Sequence, residues 1–189
     1  KLPAGLGSLL PAHRRYLESR GFDPDEIVEV WKVGGIGQAG RLAWRLFIPV
    51  EQGGEVVSWT TRSLLADGLR YVNAPTESEA VSKREVLYGA HLAGHSVVVV
   101  EGPLDAWALG PGGVATMGLG YSLAQALTIS HFPTRTICFD AEPAAQRRAR
   151  RLCRFLTAYP GRTTRVELES GKDPASMSRK EGRLLKKLL

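Results

Sequence analysis

Two short apolar runs in this chain end abruptly in acid. Val97-Val98-Val99-Val100 leads into Glu101-Gly102, and Ile137-Cys138-Phe139 leads into Asp140-Ala141-Glu142. An unbroken, largely β-branched run suits a strand buried on both faces, as in a parallel sheet. The acids then fall at the carboxyl ends of two strands, where open α/β sheets hold their ligands. Three carboxylates converging there repel one another unless a hard cation lies between them, and oxygen donors of this kind suit Mg²⁺. The expected chemistry is metal-dependent work on phosphate. For a single strand-terminal acid, the competing explanation is that it caps the next helix.

The elements around these acids alternate regularly from about residue 96 onward. Strands are predicted at 97–100, 113–117, 135–139 and 163–168. Helices are predicted through Leu104, Trp107 and Leu109, from Ser122 to Ser130, from 143 to about 158, and from the Asp173-Pro174 region to Leu189. That βαβ rhythm implies a parallel sheet covered by helices, so the fold class is α/β. Before it, residues 8–31 read as two short helices, the second capped by Asp23 with Pro24 at its first position. Gly34, Gly35, Gly37 and Gly40 read as a flexible bridge. Runs 44–50 and 55–61 read as a hairpin across Glu51-Gln52-Gly53-Gly54, and residues 64–86 as irregular. The boundary is expected near residues 88–95, giving a basic α+β lobe over 1–90 and an α/β domain over 91–189.

Composition narrows the function classes. The 189 residues carry 25 Lys and Arg against 19 Asp and Glu, a formal +6, which favours an anionic partner. Cys138 and Cys153 form no CxxC pair, so no zinc site is expected in this chain, and so few cysteines fit a reducing cytoplasm. His91 and His95 have helical spacing, but Gly94 interrupts them and a loop is expected there. No apolar stretch reaches membrane-spanning length, so no membrane partner is expected. The chain opens on Lys1 rather than Met, so an excised or processed piece is expected.

The ordered motifs resemble a known family. Glu101-Gly102 after one hydrophobic strand and Asp140-Ala141-Glu142 after another resemble the TOPRIM fold of bacterial-type primases, topoisomerases and related nucleases. Tyr16-Leu17-Glu18-Ser19-Arg20-Gly21 resembles the opening of a DnaG-type RNA-polymerase core. Arg45-Leu46-Phe47-Ile48-Pro49-Val50 resembles its R-x-x-F-P strand, Arg70 to Pro75 its K-Y-L-N-S-P segment, and Lys83 to Gly89 its K-x-x-x-L-Y-G segment. Asp173-Pro174-Ala175 and the stretch to Gly182 resemble its D-P-D segment and following helix. The matches run in collinear order along nearly the whole chain. It departs from the pattern at Glu142, at Ala175, and at Pro143-Ala144-Ala145, where the family carries a glycine.

The resemblance implies a TOPRIM-type parallel sheet flanked by helices and preceded by a small N-terminal α+β lobe. It implies a DNA primase core that makes short RNA primers on single-stranded DNA from ribonucleoside triphosphates, in the cytoplasm of a bacterial cell or phage-infected host. Asp140, Glu142 and Asp173 would hold one or two Mg²⁺ or Mn²⁺ ions, with Glu101 as a further ligand or the general base and Asp105 as a supporting acid. Arg45, Arg62, Arg70, Tyr71, Asn73, Lys83 and Arg84 match residues that line the family's groove for template and nucleotide. A replicative helicase and a zinc-binding module supplied elsewhere are the implied partners. The rivals are a TOPRIM nuclease or topoisomerase fragment, and a non-catalytic nucleic-acid-binding module. The run Arg147 to Arg154 places five arginines within an arc of roughly 160°. It reads first as an amphipathic helix covering the sheet.

Overall fold

In a computed structural model of the protein, the described residues are 1–38, 40–66, 68–118, 120–168, 175, 177 and 179–189. They form two compact units, Lys1–Lys83 and Arg84–Leu189.

The first unit is an antiparallel sheet with two helices. Its elements are β1 (Leu6–Gly7), α1 (Pro11–Ser19), α2 (Pro24–Trp31), β2 (Gly34–Ile36), β3 (Arg45–Gln52), β4 (Glu55–Ser63) and β5 (Tyr71–Asn73), with the strands in sequential order across the sheet. Asp23 caps α2 as expected, accepting hydrogen bonds from the Asp25 and Glu26 amides at 2.8 and 3.4 Å. Gly53 and Gly54 both take positive φ, at 63° and 84°, as the expected tight hairpin between β3 and β4 requires.

Two stretches differ from expectation. Two of the glycines expected to form a flexible bridge, Gly34 and Gly35, instead begin β2, which pairs with β1 on one side and β3 on the other. The physical reason is close approach. A Cβ on Gly34 would lie 2.7 Å from Leu6 Cδ1, and one on Gly35 would lie 2.9 Å from the His13 ring. The second difference is β5, which lies inside the segment expected to be irregular and pairs Tyr71 with Arg62 and Asn73 with Thr60. Three residues are too few for an alternation to show in sequence.

The second unit contains β6 (Ser96–Val100), α3 (Pro103–Leu109), β7 (Gly113–Ala115), α4 (Leu123–Ser130), β8 (Thr134–Ile137), α5 (Pro143–Leu156), β9 (Arg162–Arg165) and α6 (Arg179–Lys186). Its four strands are all parallel, in the order β7-β6-β8-β9. Val97 and Val99 pack into a core with Ile137, Phe139, Ala145, Ala149, Leu152 and Leu156, which places α5 over that face. Val98 and Val100, equally buried, alternate to the other face. β7 ends two residues earlier than expected because Met117 adopts a left-handed φ of 62°. Tyr88 forms an antiparallel bridge to Ala115, attaching the segment ahead of β6 to this unit.

His13 gives the fold a pH signature. The ring is fully buried, its Nδ1 accepts from the Leu10 amide at 3.1 Å, and its Nε2 lies 3.2 Å from the carbonyls of Ile36 and Arg45. This arrangement suits a neutral ring donating from Nε2, and burial holds its pKa below the ordinary value of 6.5. The unfolded chain therefore binds the proton more readily. The stability that His13 contributes is fully present above about pH 6.5 and is lost as pH falls through the lower folded value. Urea-unfolding midpoints are expected to drop as the pH is lowered past that point, and His13→Gln should remove this part of the slope. An unchanged slope in the variant would assign the pH dependence to other groups.

Candidate active site

The sheet sets the position of the acids. From β6 the chain crosses to β7 on one side, and from β7 it passes back over β6 to β8 on the other. Right-handed crossovers of opposite direction put their helices on opposite faces, which makes the carboxyl ends of β6 and β8 the switch point of the sheet. Glu101 follows β6 directly, and Asp140 follows β8 by three residues.

Each acid has a distinct surrounding. Glu101 is mostly shielded, its side chain 11% exposed, and its Oε1 accepts from Arg148 Nη2 at 2.7 Å. Its main-chain carbonyl accepts from the Met117 amide at 3.0 Å, so the bend after β7 closes on this residue. Asp105 occupies the third position of α3 and is buried. One carboxylate oxygen accepts from the Gly102 amide at 3.0 Å, and the other accepts from the Ala175 amide at 2.9 Å. It caps its helix and also ties down the residue that follows Asp173-Pro174 in sequence. Asp173 itself lies outside the described residues.

Asp140 is half-buried. Gln146, inside the first turn of α5, donates from Nε2 to the carbonyls of Phe139 and Asp140 at 3.0 and 2.9 Å, and its Oε1 accepts from Arg165. This clasp fixes the end of β8. Glu142 stands at the N-cap of α5 but makes no capping hydrogen bond, and its side chain is exposed. A capping role therefore does not account for Glu142.

The field of these acids registers on Cys138. Burial pushes its thiol up to about 12, with Asp105, Asp140 and Glu181 adding to the shift. Glu181, on α6, is an acid at this site that the sequence reading did not single out. Gln146 was also passed over, although it falls on the apolar side of an arginine-rich helix, where a polar residue needs a partner. Among the described residues, no three His, Cys, Asp or Glu side chains form a metal-holding group. Asp140 and Glu142 supply hard oxygen donors of the type Mg²⁺ takes, so the donor chemistry fits such an ion.

The residues expected to contact template and nucleotide fall into two sets. Arg45 and Arg62 are buried in the first unit's sheet. The Arg45 guanidinium donates to the Thr61 carbonyl and hydroxyl at 3.4 Å and to the Leu69 carbonyl, and burial lowers its pKa. Arg62 donates from Nε to Tyr16 Oη at 2.9 Å and stacks 4.9 Å over the Tyr71 ring. Asn73 accepts from the Thr60 hydroxyl at 2.9 Å. Arg70 and Arg84 are exposed, and Lys83 is half-buried.

No family model matches the chain. DNA primase of Mycobacterium tuberculosis is 34% identical over 126 residues, covering 60% of this chain and 19% of that protein. DNA primase of Geobacillus stearothermophilus is 30% identical over 146 residues, covering 71% and 24%. A solved structure of the DnaG primase catalytic domain bound to single-stranded DNA superposes with a TM-score of 0.77 at 21% identity, over 93% of this chain and 70% of that one. The fold is that of a DnaG primase catalytic core. The chain spans about a fifth to a quarter of the length of the DNA primases it matches in sequence. The primase fold expected from the motifs is thus observed, with a parallel sheet flanked by helices in one unit and an α+β unit before it.

Gln146 tests how the end of β8 is held. It is 3% exposed, so Gln146→Leu strands two carbonyls at the end of β8. The expected cost is about 1–3 kcal/mol, read as a lower denaturant midpoint with unchanged m-value.

Proposed function

We propose that this chain is the polymerase core of a DnaG-type primase, joining ribonucleotides on a single-stranded DNA template. The observation that carries the reading is the placement of Glu101 and Asp140 at the switch point of a parallel sheet, in a chain related to DNA primases. Asp140, Glu142 and Asp173 would hold the divalent ions. A bound Mg²⁺ or Mn²⁺ supplies charge neutralisation at the nucleotide phosphates and at the leaving pyrophosphate.

The chain's own residues supply orientation. Gln146 fixes the backbone from which Asp140 projects, and Asp105 accepts from the Ala175 amide. Arg148 engages one oxygen of Glu101, leaving the other to orient the attacking 3′-hydroxyl or accept its proton. Exposed Arg70 and Arg84, with Lys83, suit the phosphates of template and nucleotide. Arg45 and Arg62 serve the same strands from within, by fixing β3, β4 and the Tyr71 ring. The setting this chemistry needs is the cytoplasm of a bacterial cell or phage-infected host, with a helicase and a zinc-bearing segment elsewhere assisting initiation. De novo initiation must gather two nucleotides at once, whereas extension starts with one partner already positioned.

Incubation with single-stranded DNA, labelled ribonucleotides and Mg²⁺ or Mn²⁺ tests the reading. The chain is expected to extend a supplied primer better than it starts one. Asp140→Asn should lower extension by about a hundredfold or more, as loss of a principal charge-stabilising group does, while melting stays cooperative. Degraded DNA would indicate a nuclease instead, and DNA binding without product a non-catalytic module.

A further inference from the structure

We propose that the outer face of α5 is a phosphate-binding track for single-stranded template, leading outward from the carboxylate site. The proposal rests on the primase reading and adds a surface to it. Arg147, Arg148, Arg150, Arg151 and Arg154 line an open concavity of about 560 Å³ together with Ala144. The opposite face of the helix, through Ala145, Ala149, Leu152 and Leu156, is fully buried against the sheet.

Covering the sheet requires only that inner face. An outer face serving solvation alone is ordinarily mixed in sign, with acids three or four residues from bases. The α5 sequence PAAQRRARRLCRFL contains no Asp or Glu, and its arginines repel one another along rows of that same spacing. The arrangement is self-repelling until a polyanion is present. Among the described residues, only Arg148 of the five makes an ion pair, and the other four are exposed.

Continuity with the active site selects the ligand. Arg148 reaches inward to Glu101 at 2.7 Å, its Cδ passing where a Cβ on Gly120 would stand only 3.2 Å away. The track thus begins at the acid placed beside the reacting 3′-hydroxyl and extends about 10 Å along the helix to Arg154. All five cations are arginine rather than lysine, the side chain whose planar fork matches phosphate oxygens. Contacts of this type follow a backbone without reading its bases.

The test compares three variants with the parent by anisotropy with oligo-dT from about 50 to 200 mM salt. Arg147→Gln, Arg150→Gln, Arg151→Gln and Arg154→Gln are combined in one protein, sparing Arg148. The expected result is affinity at least about tenfold weaker and a log–log salt slope flatter by up to about 3. The same four positions changed to Lys keep the charge but not the planar fork, so the salt slope should match the parent while only part of the affinity is retained. A control removing equal charge from Lys180, Arg183, Lys186 and Lys187 should bind like the parent. If the four-glutamine protein fails to fold, Arg150→Gln with Arg154→Gln carries the test, with half the slope change.

Parent-like DNA binding by the glutamine variant would overturn the proposal. Loss of poly-glutamate binding with DNA binding retained would overturn it in favour of an acidic protein partner. Equal losses in the α6 control would assign the effect to net charge and likewise overturn it. Primer extension by the parent with unchanged binding by the variant sinks the track alone, whereas a parent that neither binds DNA nor extends primers sinks the primase reading as well.

Discussion

The organisation of the second unit depends on the burial of β6 from both sides. Val97, Val98, Val99 and Val100 have no solvent exposure, and each contributes about 1.5–3 kcal/mol relative to leaving it in water. A strand enclosed in this way cannot carry a carboxylate within its length without a heavy desolvation cost. The first acid is therefore displaced to the rim, at Glu101. The Arg148–Glu101 contact is largely shielded from water, so its attraction is offset by the cost of desolvating both groups. Apolar burial places the acid, and the ion pair only orients it.

Negative charge at that rim is balanced locally. Asp105 places its two oxygens on backbone amides and Glu101 is met by a guanidinium, while burial first, and then Asp105, Asp140 and Glu181, raise the Cys138 thiol. The acids stand on strand ends and helix starts that the core holds rigidly. Their mutual repulsion is thus opposed by the packing beneath them rather than relieved by movement.

The parts of this plan that depend on local pattern were legible in the sequence. The apolar runs ending at Glu101 and Asp140, the Asp23 cap and the Gly53-Gly54 turn each announce themselves within a few residues. What escaped notice depends on contacts between distant segments. Gly34 and Gly35 look like a hinge until the Leu6 and His13 side chains are seen filling the space beside them. Arg45 and Arg62 look like phosphate ligands, but their guanidinium groups are engaged by Thr61, Leu69 and Tyr16. Arginine in a strand reads alike whether it points to solvent or braces a sheet, and only its partners distinguish the two. Gln146 escaped for the same reason, since its role is defined by the carbonyls that follow β8 rather than by its own helix.

The two margins of the parallel sheet also settle how it meets other polypeptides. An unpaired strand edge is a template on which a further chain can add, the usual route to runaway aggregation. On one side β7 is only three residues long, and Tyr88 already bonds to Ala115 there in both directions. On the other side β9 is four residues long and begins and ends in arginine, at Arg162 and Arg165. A second copy approaching edge to edge would bring like charges opposite one another across the new ladder. Among the described residues the sheet thus has four strands, and both of its margins are poor templates for edge-to-edge pairing with a second copy.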